Sequence, residues 1–313
     1  MRVGAARSGL IEARHEVAVA AVDPAGRTLA SFGEDADRPF FLRSAAKPFQ
    51  AFVSQQAGAG LVPEQLAVAS SSHGGQPVHL AYVEAMLDEV GLEEDDLACP
   101  PSWPMSASAM RTASRAGLRS PRPLANNCSG KHAAMLRACL ARGWSLAYTD
   151  PGHPLQTEVA SCMRRVTGED GGPVGVDGCG VPTFRGTVTG LARAYAALST
   201  DPDLSEVAVA ASRFAPLTAD GDREEALLAR WIPGVVKGGA MGCLGLGHFG
   251  GVGIAAKAWT GALSAAAVGI IEMLRRLSLL PPHPEAALAE VARPPVLGGG
   301  RQVGALRPLR EGE

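Results

Sequence analysis

A proline fixes the first firm boundary in this chain. Pro48, in the stretch Phe40-Phe41-Leu42-Arg43-Ser44-Ala45-Ala46-Lys47-Pro48-Phe49-Gln50, fits a helix only in its first turn, where its missing N–H costs nothing. The helix must therefore begin at about Ser44 to Lys47 and run through Phe52 toward Gly58. Residues three apart share a helix face. Ser44 then stands at the positive helix end with the Lys47 amine one turn behind, able to take its proton when the amine is neutral. The same letters also spell a serine N-cap followed by a solvated lysine, and the remainder of the chain has to decide between the two.

The lysine count bears on that choice. Of 29 basic residues only four are lysines (Lys47, Lys131, Lys237 and Lys257), against 25 arginines. Arginine keeps its proton in a protein whereas a buried lysine can lose it, so these lysines mark positions where a deprotonable amine is of use. Length and composition set the frame: 313 residues, 46% of them hydrophobic, make a soluble globular chain of two domains or one large two-lobed unit. A net charge of −2 without a basic run argues against nucleic-acid or membrane partners. The start has no apolar signal region and no later stretch gives eighteen uncharged apolar residues, so the expected location is cytoplasmic. Cysteines 99, 128, 139, 162, 179 and 243 then read as free thiols or ligands rather than a disulfide framework.

Extended runs over Glu16–Val22 and Arg27–Phe32, around Asp23-Pro24-Ala25-Gly26, predict a hairpin. Leu66 to Gly75 reads as an apolar run leading into a polar loop of three hydroxyls, a histidine and two glycines. Helices are predicted from Pro77 to Gly91, Ser106 to Gly117, Ser129 to Gly143 and Pro154 to Gly168, each with a cap or proline at its start and a glycine stop. Beyond Gly234 the chain turns glycine-rich, gives a strand over Gly253–Trp259, then a helix through Ile270, Ile271 and Leu274; the tail from Pro294 is expected to be loose. Strands at both ends with helices between imply an α/β (α+β) chain, one sheet built from both chain ends with an inserted helical lobe. The expected division of 1–313 is a sheet lobe over about 1–43 and 185–300 and a helical lobe over about 44–184.

Three motifs need weighing. Gly245-Leu246-Gly247-His248-Phe249-Gly250 matches a dinucleotide fingerprint, but a strand follows it instead of a helix, so a glycine-rich hairpin is the better reading. Lys237-Gly238-Gly239-Ala240 leaves a strand, presenting an amine and letting a substrate approach the backbone closely. With a Ser-x-x-Lys helix upstream and a helical lobe between, it copies the element order of penicillin-recognising serine hydrolases. Cys128 and Lys131 fall at a helix start and Cys179 in the tight loop Asp177-Gly178-Cys179-Gly180. A helix start favours the metal-binding thiolate. Tetrahedral zinc wants four ligands; Asp177 and His132 are further donors, His132 reading first as a core histidine, and spacing alone leaves the metal open.

Taken in order, Arg43-Ser44-Ala45-Ala46-Lys47-Pro48-Phe49-Gln50, Ser71-Ser72-His73-Gly74-Gly75-Gln76-Pro77-Val78-His79, Asn126-Asn127-Cys128-Ser129-Gly130-Lys131-His132, Asp177-Gly178-Cys179-Gly180-Val181-Pro182 and Lys237-Gly238-Gly239-Ala240 resemble the asparaginase II family, the rhizobial-type L-asparaginases. The resemblance spans nearly the whole chain. It implies a serine β-lactamase/glutaminase-like fold, a homodimer, and hydrolysis of L-asparagine to L-aspartate and ammonia through an acyl-serine. Ser44 with Lys47 and Ser72 with Lys237 are its implied Ser-Lys pairs. Cys128, Lys131 and Cys179 are the implied ligands of one zinc per chain. Arg43, His73, Asp177 and Gly238 are the implied substrate contacts.

The chain departs from the family pattern in its acidic positions. Met241 stands where the family has Glu, Trp259-Thr260-Gly261 replaces an acidic segment after Lys257, and Gln76 replaces Glu. Two alternatives follow: a penicillin-recognising hydrolase, or a catalytically weakened amino-acid-binding or zinc-binding member.

Overall fold

Both ends of the chain enter one sheet in the computed structural model, which describes residues 1–281 and 288–313. The chain opens with β1 (Arg2–Arg7), β2 (Leu10–Val22) and β3 (Thr28–Phe32). Two short ribbons come next, β4 (Phe40–Phe41) paired with β7 (Arg185–Gly186) and β5 (Gly175–Val176) with β6 (Pro182–Thr183). The sheet is completed by β8 (Gly234–Gly239), β9 (Cys243–His248), β10 (Val252–Ala258), β11 (Pro295–Gly298) and β12 (Arg301–Pro308). It is curled and antiparallel, in the order β11-β12-β1-β2-β10-β9-β8, with β3 also on β2.

The expectation of a loose tail is corrected here. β12 pairs with β1 from Val3↔Pro308 to Arg7↔Gly304, and β11 pairs with β12. The free edge of β1 gives these half-buried residues a ladder that their weak apolar pattern does not announce.

The helices between are α1 (Lys47–Ser54), α2 (Pro63–Ala69), α3 (Pro77–Asp88), α4 (Ala107–Arg115), α5 (Ser129–Arg142), α6 (Pro154–Thr167), α7 (Val188–Thr200), α8 (Ser205–Arg213), α9 (Ala215–Thr218), α10 (Glu224–Ala229) and α11 (Leu263–Arg276). The apolar run from Leu66 is the second half of α2, started by Pro63 and closed at its front by the Gln65 carboxamide oxygen accepting from Val62 N at 3.2 Å. At the centre of the lobe, α5 is buried all round from Ser129 to Cys139, among α1, α2, α3 and α6. No helix among the described residues is long and apolar enough to cross a membrane.

Helices cover both sheet faces, which is why Val17 to Val22 is apolar without alternation. Ala18, Ala20 and Val22 join the core shared with α7 and the helical lobe. Val17, Val19 and Ala21 join a second core under α11. The glycine-rich segment is the β9–β10 hairpin, and its glycines let α7 lie against the sheet. A Cβ at Gly245 would sit 2.1 Å from the Tyr195 ring, and one at Gly253 2.0 Å from Ala192 O.

Candidate active site

The turn carrying Ser44 is a single 3-10 turn, Arg43–Ala46, running straight into α1 at Lys47. It is pinned from several sides. Leu42 N donates to Phe184 O at 2.9 Å, and the Tyr195 hydroxyl of α7 donates to Ala45 O at 2.9 Å. On the sheet side, β8 ends against the turn: a Cβ at Gly239 would lie 3.0 Å from Leu42 O and 3.1 Å from Ala45 N. Only glycine lets the Lys237 strand run this close to the serine backbone. Arg43 takes a left-handed backbone, φ +51°, a strain of about 1–3 kcal/mol for a non-glycine residue. Its guanidinium reaches Asp177 at 2.6 Å.

Ser44 is partly exposed, while Lys47 is wholly buried. The Lys47 amine donates to Ser71 O at 2.5 Å and Asn127 O at 3.1 Å, and lies 3.1 Å from the Ser72 hydroxyl. The hydrogen bond therefore joins Lys47 to Ser72, across the two implied pairs. Burial pulls the Lys47 pKa down, the nearby Lys131 adding to the effect. In the neutral amine, the two carbonyls hold both N–H bonds and the lone pair is left for the Ser72 hydroxyl. Such an amine can act as a base.

Lys237, on β8, is buried and its amine donates to Gly238 O at 2.5 Å. Desolvation brings its pKa from 10.5 to about 7. Lys257 is buried too, its amine on Met241 O and facing the rings of Phe40 and Trp259 at 5.4 and 5.6 Å. Trp259, standing at a position of lost acidity, thus presents an aromatic face to a cation.

His73 is brought close to the site but turned inward. It is fully buried, its Nε2 donates to the Ser129 hydroxyl at 2.9 Å, and its Nδ1 accepts from Gly75 N at 3.2 Å. Both nitrogens are spent on protein, which makes His73 a brace for the start of α5. His132 likewise meets the Tyr148 hydroxyl at 2.7 Å.

Cys128, Lys131 and Cys179 converge. All three are buried, and the Lys131 amine lies 3.1 Å from Cys179 Sγ. The hydrogen bond from Cys179, reinforced by Lys47 and Lys131, holds the Cys128 pKa well below the usual thiol value, while the same hydrogen bond and burial push Cys179 up. Burial alone would lower Lys131, but the facing Cys179 and Cys128 raise it. Asp177 stays acidic because Lys131 and Arg43 outweigh its burial. Among the described residues no group of three or more His, Cys, Asp or Glu is arranged around a metal. Two thiols and an amine are nevertheless a softer set that suits zinc once their protons are displaced.

Arg223 and Glu225 were not singled out in the sequence. Gly221-Asp222-Arg223-Glu224-Glu225 has the letters of a solvated charged turn, and no local signal distinguishes it. In the fold Glu225 is buried beside Lys237 and Arg223, and Arg223 donates to Ser72 O at 3.0 Å.

The family model for L-asparaginase II matches residues 3–308. The chain belongs to the L-asparaginase II family. No curated protein matches it significantly. Membership makes it a member of a hydrolase family whose name denotes a small-molecule substrate.

Proposed function

We propose that this chain hydrolyses L-asparagine to L-aspartate and ammonia through an acyl-serine on Ser44. The observation that carries the reading is the Lys47 amine, buried, depressed in proton affinity, and bonded to Ser72 one turn behind a partly exposed Ser44. Ser44 Oγ adds to the carboxamide carbon as its proton is relayed by the Ser72 hydroxyl to the Lys47 amine that it meets. The C–N bond then breaks, and the proton returns through Ser72 to the leaving nitrogen, releasing ammonia. Water hydrolyses the ester with Lys237, its pKa about 7, exchanging the proton at neutral pH. Backbone N–H groups of the Ser44 turn and of β8 near Gly239 are the candidate oxyanion donors. Arg43 and Asp177, paired beside Ser44, suit a zwitterionic amino acid. The same reading takes the two-lobed arrangement as serine β-lactamase-like.

Zinc fits the thiols and amine of Cys128, Lys131 and Cys179. Bound there, it would supply Lewis-acid charge beside Lys47. The chain's own part is to bring the two sulfurs and the Lys131 amine together, the protons of Cys179 and Lys131 leaving as the metal binds.

Ammonia release from asparagine and glutamine, with the colour change of nitrocefin as the β-lactam control, in the parent, Ser44→Ala and Ser72→Ala, together with mass spectrometry of an electrophile adduct, tests the proposal. We expect asparagine turnover in the parent, loss in both variants, and the adduct on Ser44. Full activity in both alanine variants ends the acyl-serine reading.

A further inference from the structure

Behind Lys237 lies a carboxylate that no motif in the chain announces. Glu225, in the first turn of α10, is 1% exposed. Its Oε1 stands 3.6 Å from Lys237 Nζ and 2.7 Å from Arg223 Nη2. Neither carboxylate oxygen completes a hydrogen bond of good geometry. A buried charge so placed is costly unless cations face it, and Arg223 is permanently charged. Arg223 also reaches the other half of the site, donating through Nη1 to Ser72 O. A continuous path thus runs from Lys237 through Glu225 and Arg223 to the backbone of the serine that Lys47 holds. The approach is built in: a Cβ at Gly238 would sit 2.9 Å from Glu225 Oε1, so the second residue of Lys-Gly-Gly must be bare for the carboxylate to close on the strand.

We propose that Glu225, clamped by Arg223, is a positioning residue of this site that holds Lys237 and sets how readily it gives up its proton. The proposal deepens the hydrolase reading above and rests on it only for the use made of that proton. The other charged or titratable groups facing Lys237 are Arg223 before α10, Lys47 of α1, Cys128 at the start of α5 and Cys243 of β9. Of these, Lys47 and Arg223 oppose the ammonium and Cys128 favours it, as Glu225 does more strongly.

Four lysines make the test direct. In full-length protein labelled with 13C at lysine Cε, four signals are followed against pH, with Lys237 assigned by Lys237→Arg. Glu225→Gln, which keeps shape, should move the Lys237 midpoint to lower pH by about one unit or more. Arg223→Gln, which leaves Glu225 to Lys237 alone, should move it to higher pH. A residue that merely fills space would shift both variants the same way or neither, and either result overturns the proposal. If Glu225→Gln does not fold, the upward shift in Arg223→Gln must still appear. The pH limb of kcat should follow the midpoint if the hydrolase reading holds. Opposite midpoint shifts in a protein that releases no ammonia would sustain the positioning role and remove the substrate.

Discussion

Gly239→Ala tests how tightly the lysine strand and the serine turn are built together. The new Cβ would stand 3.0 Å from Leu42 O, 3.1 Å from Ala45 N and 3.4 Å from Ser44 N. All three are backbone atoms, so no flexible side chain can swing away. Restoring ordinary contact requires a separation of about 0.4 Å between β8 and the turn. Overpacking of this kind costs about 1–3 kcal/mol, or roughly 2–12 °C in melting temperature at about 2–4 °C per kcal/mol. If a misplacement of about 1 Å costs a hundredfold in rate, 0.4 Å costs about sixfold. That loss should fall on kcat and KM together, because Arg43 belongs to the displaced turn itself. Calorimetry and ammonia release read the two effects, with Gly152→Ala as the control, since a Cβ there meets only Asp150 Oδ1 at 3.4 Å. A Gly239→Ala protein with parental melting and kcat would refute the packing of β8 on the serine turn.

Lys47→Arg and Lys237→Arg should each lower kcat by about two orders of magnitude or more, because arginine cannot act as a base; parental turnover in both would dismiss the Ser-Lys chemistry. Lys257→Arg should matter least, since its amine faces aromatic rings and a carbonyl. Metal analysis should find about one zinc per chain, lost in Lys131→Arg and in the Cys128→Ser, Cys179→Ser double variant. Metal-free native protein, or Cys128 joined to Cys179 as a disulfide, would contradict that site.

What was legible in the sequence was whatever a short segment decides for itself. Pro48 and Pro154 mark helix starts, Gly143 and Gly168 mark stops, and α1, α5 and α6 run between them as expected. Chemistry set by distant partners was not legible. The Ser-x-x-Lys spacing pairs Lys47 with Ser44, but the tertiary fold brings Ser71, Ser72 and Asn127 to the amine. His73 sits in a motif rich in hydroxyls, yet its partner Ser129 is 56 residues away and lies inward. Glu225 looks like surface charge until α10 folds against β8. The strands from Pro295 to Pro308 carry little pattern of their own because the edge of β1 dictates them.

The four lysines connect composition to energetics. All are buried, and at Lys47, Lys237 and Lys257 that burial makes positive charge costly, whereas the facing cysteines favour it at Lys131. Lys237 makes the consequence measurable. Its pKa falls from 10.5 to about 7 on folding, so between those values the unfolded chain binds a proton that the native protein does not. Stability contributed by this group must then rise with pH from about 7 toward 10.5, and be flat and at its lowest below 7. The full span is on the order of a few kcal/mol. Lys47 and the Cys128 thiol, both depressed, slope the same way, and Cys179 opposes them; comparison with Lys237→Met cancels all three. Chemical denaturation at steps from pH 6 to 9 should show the parent gaining stability relative to Lys237→Met above pH 7, with the methionine variant the more stable at pH 6. Parallel curves for the two proteins would mean that Lys237 keeps its proton throughout and serves as a fixed charge.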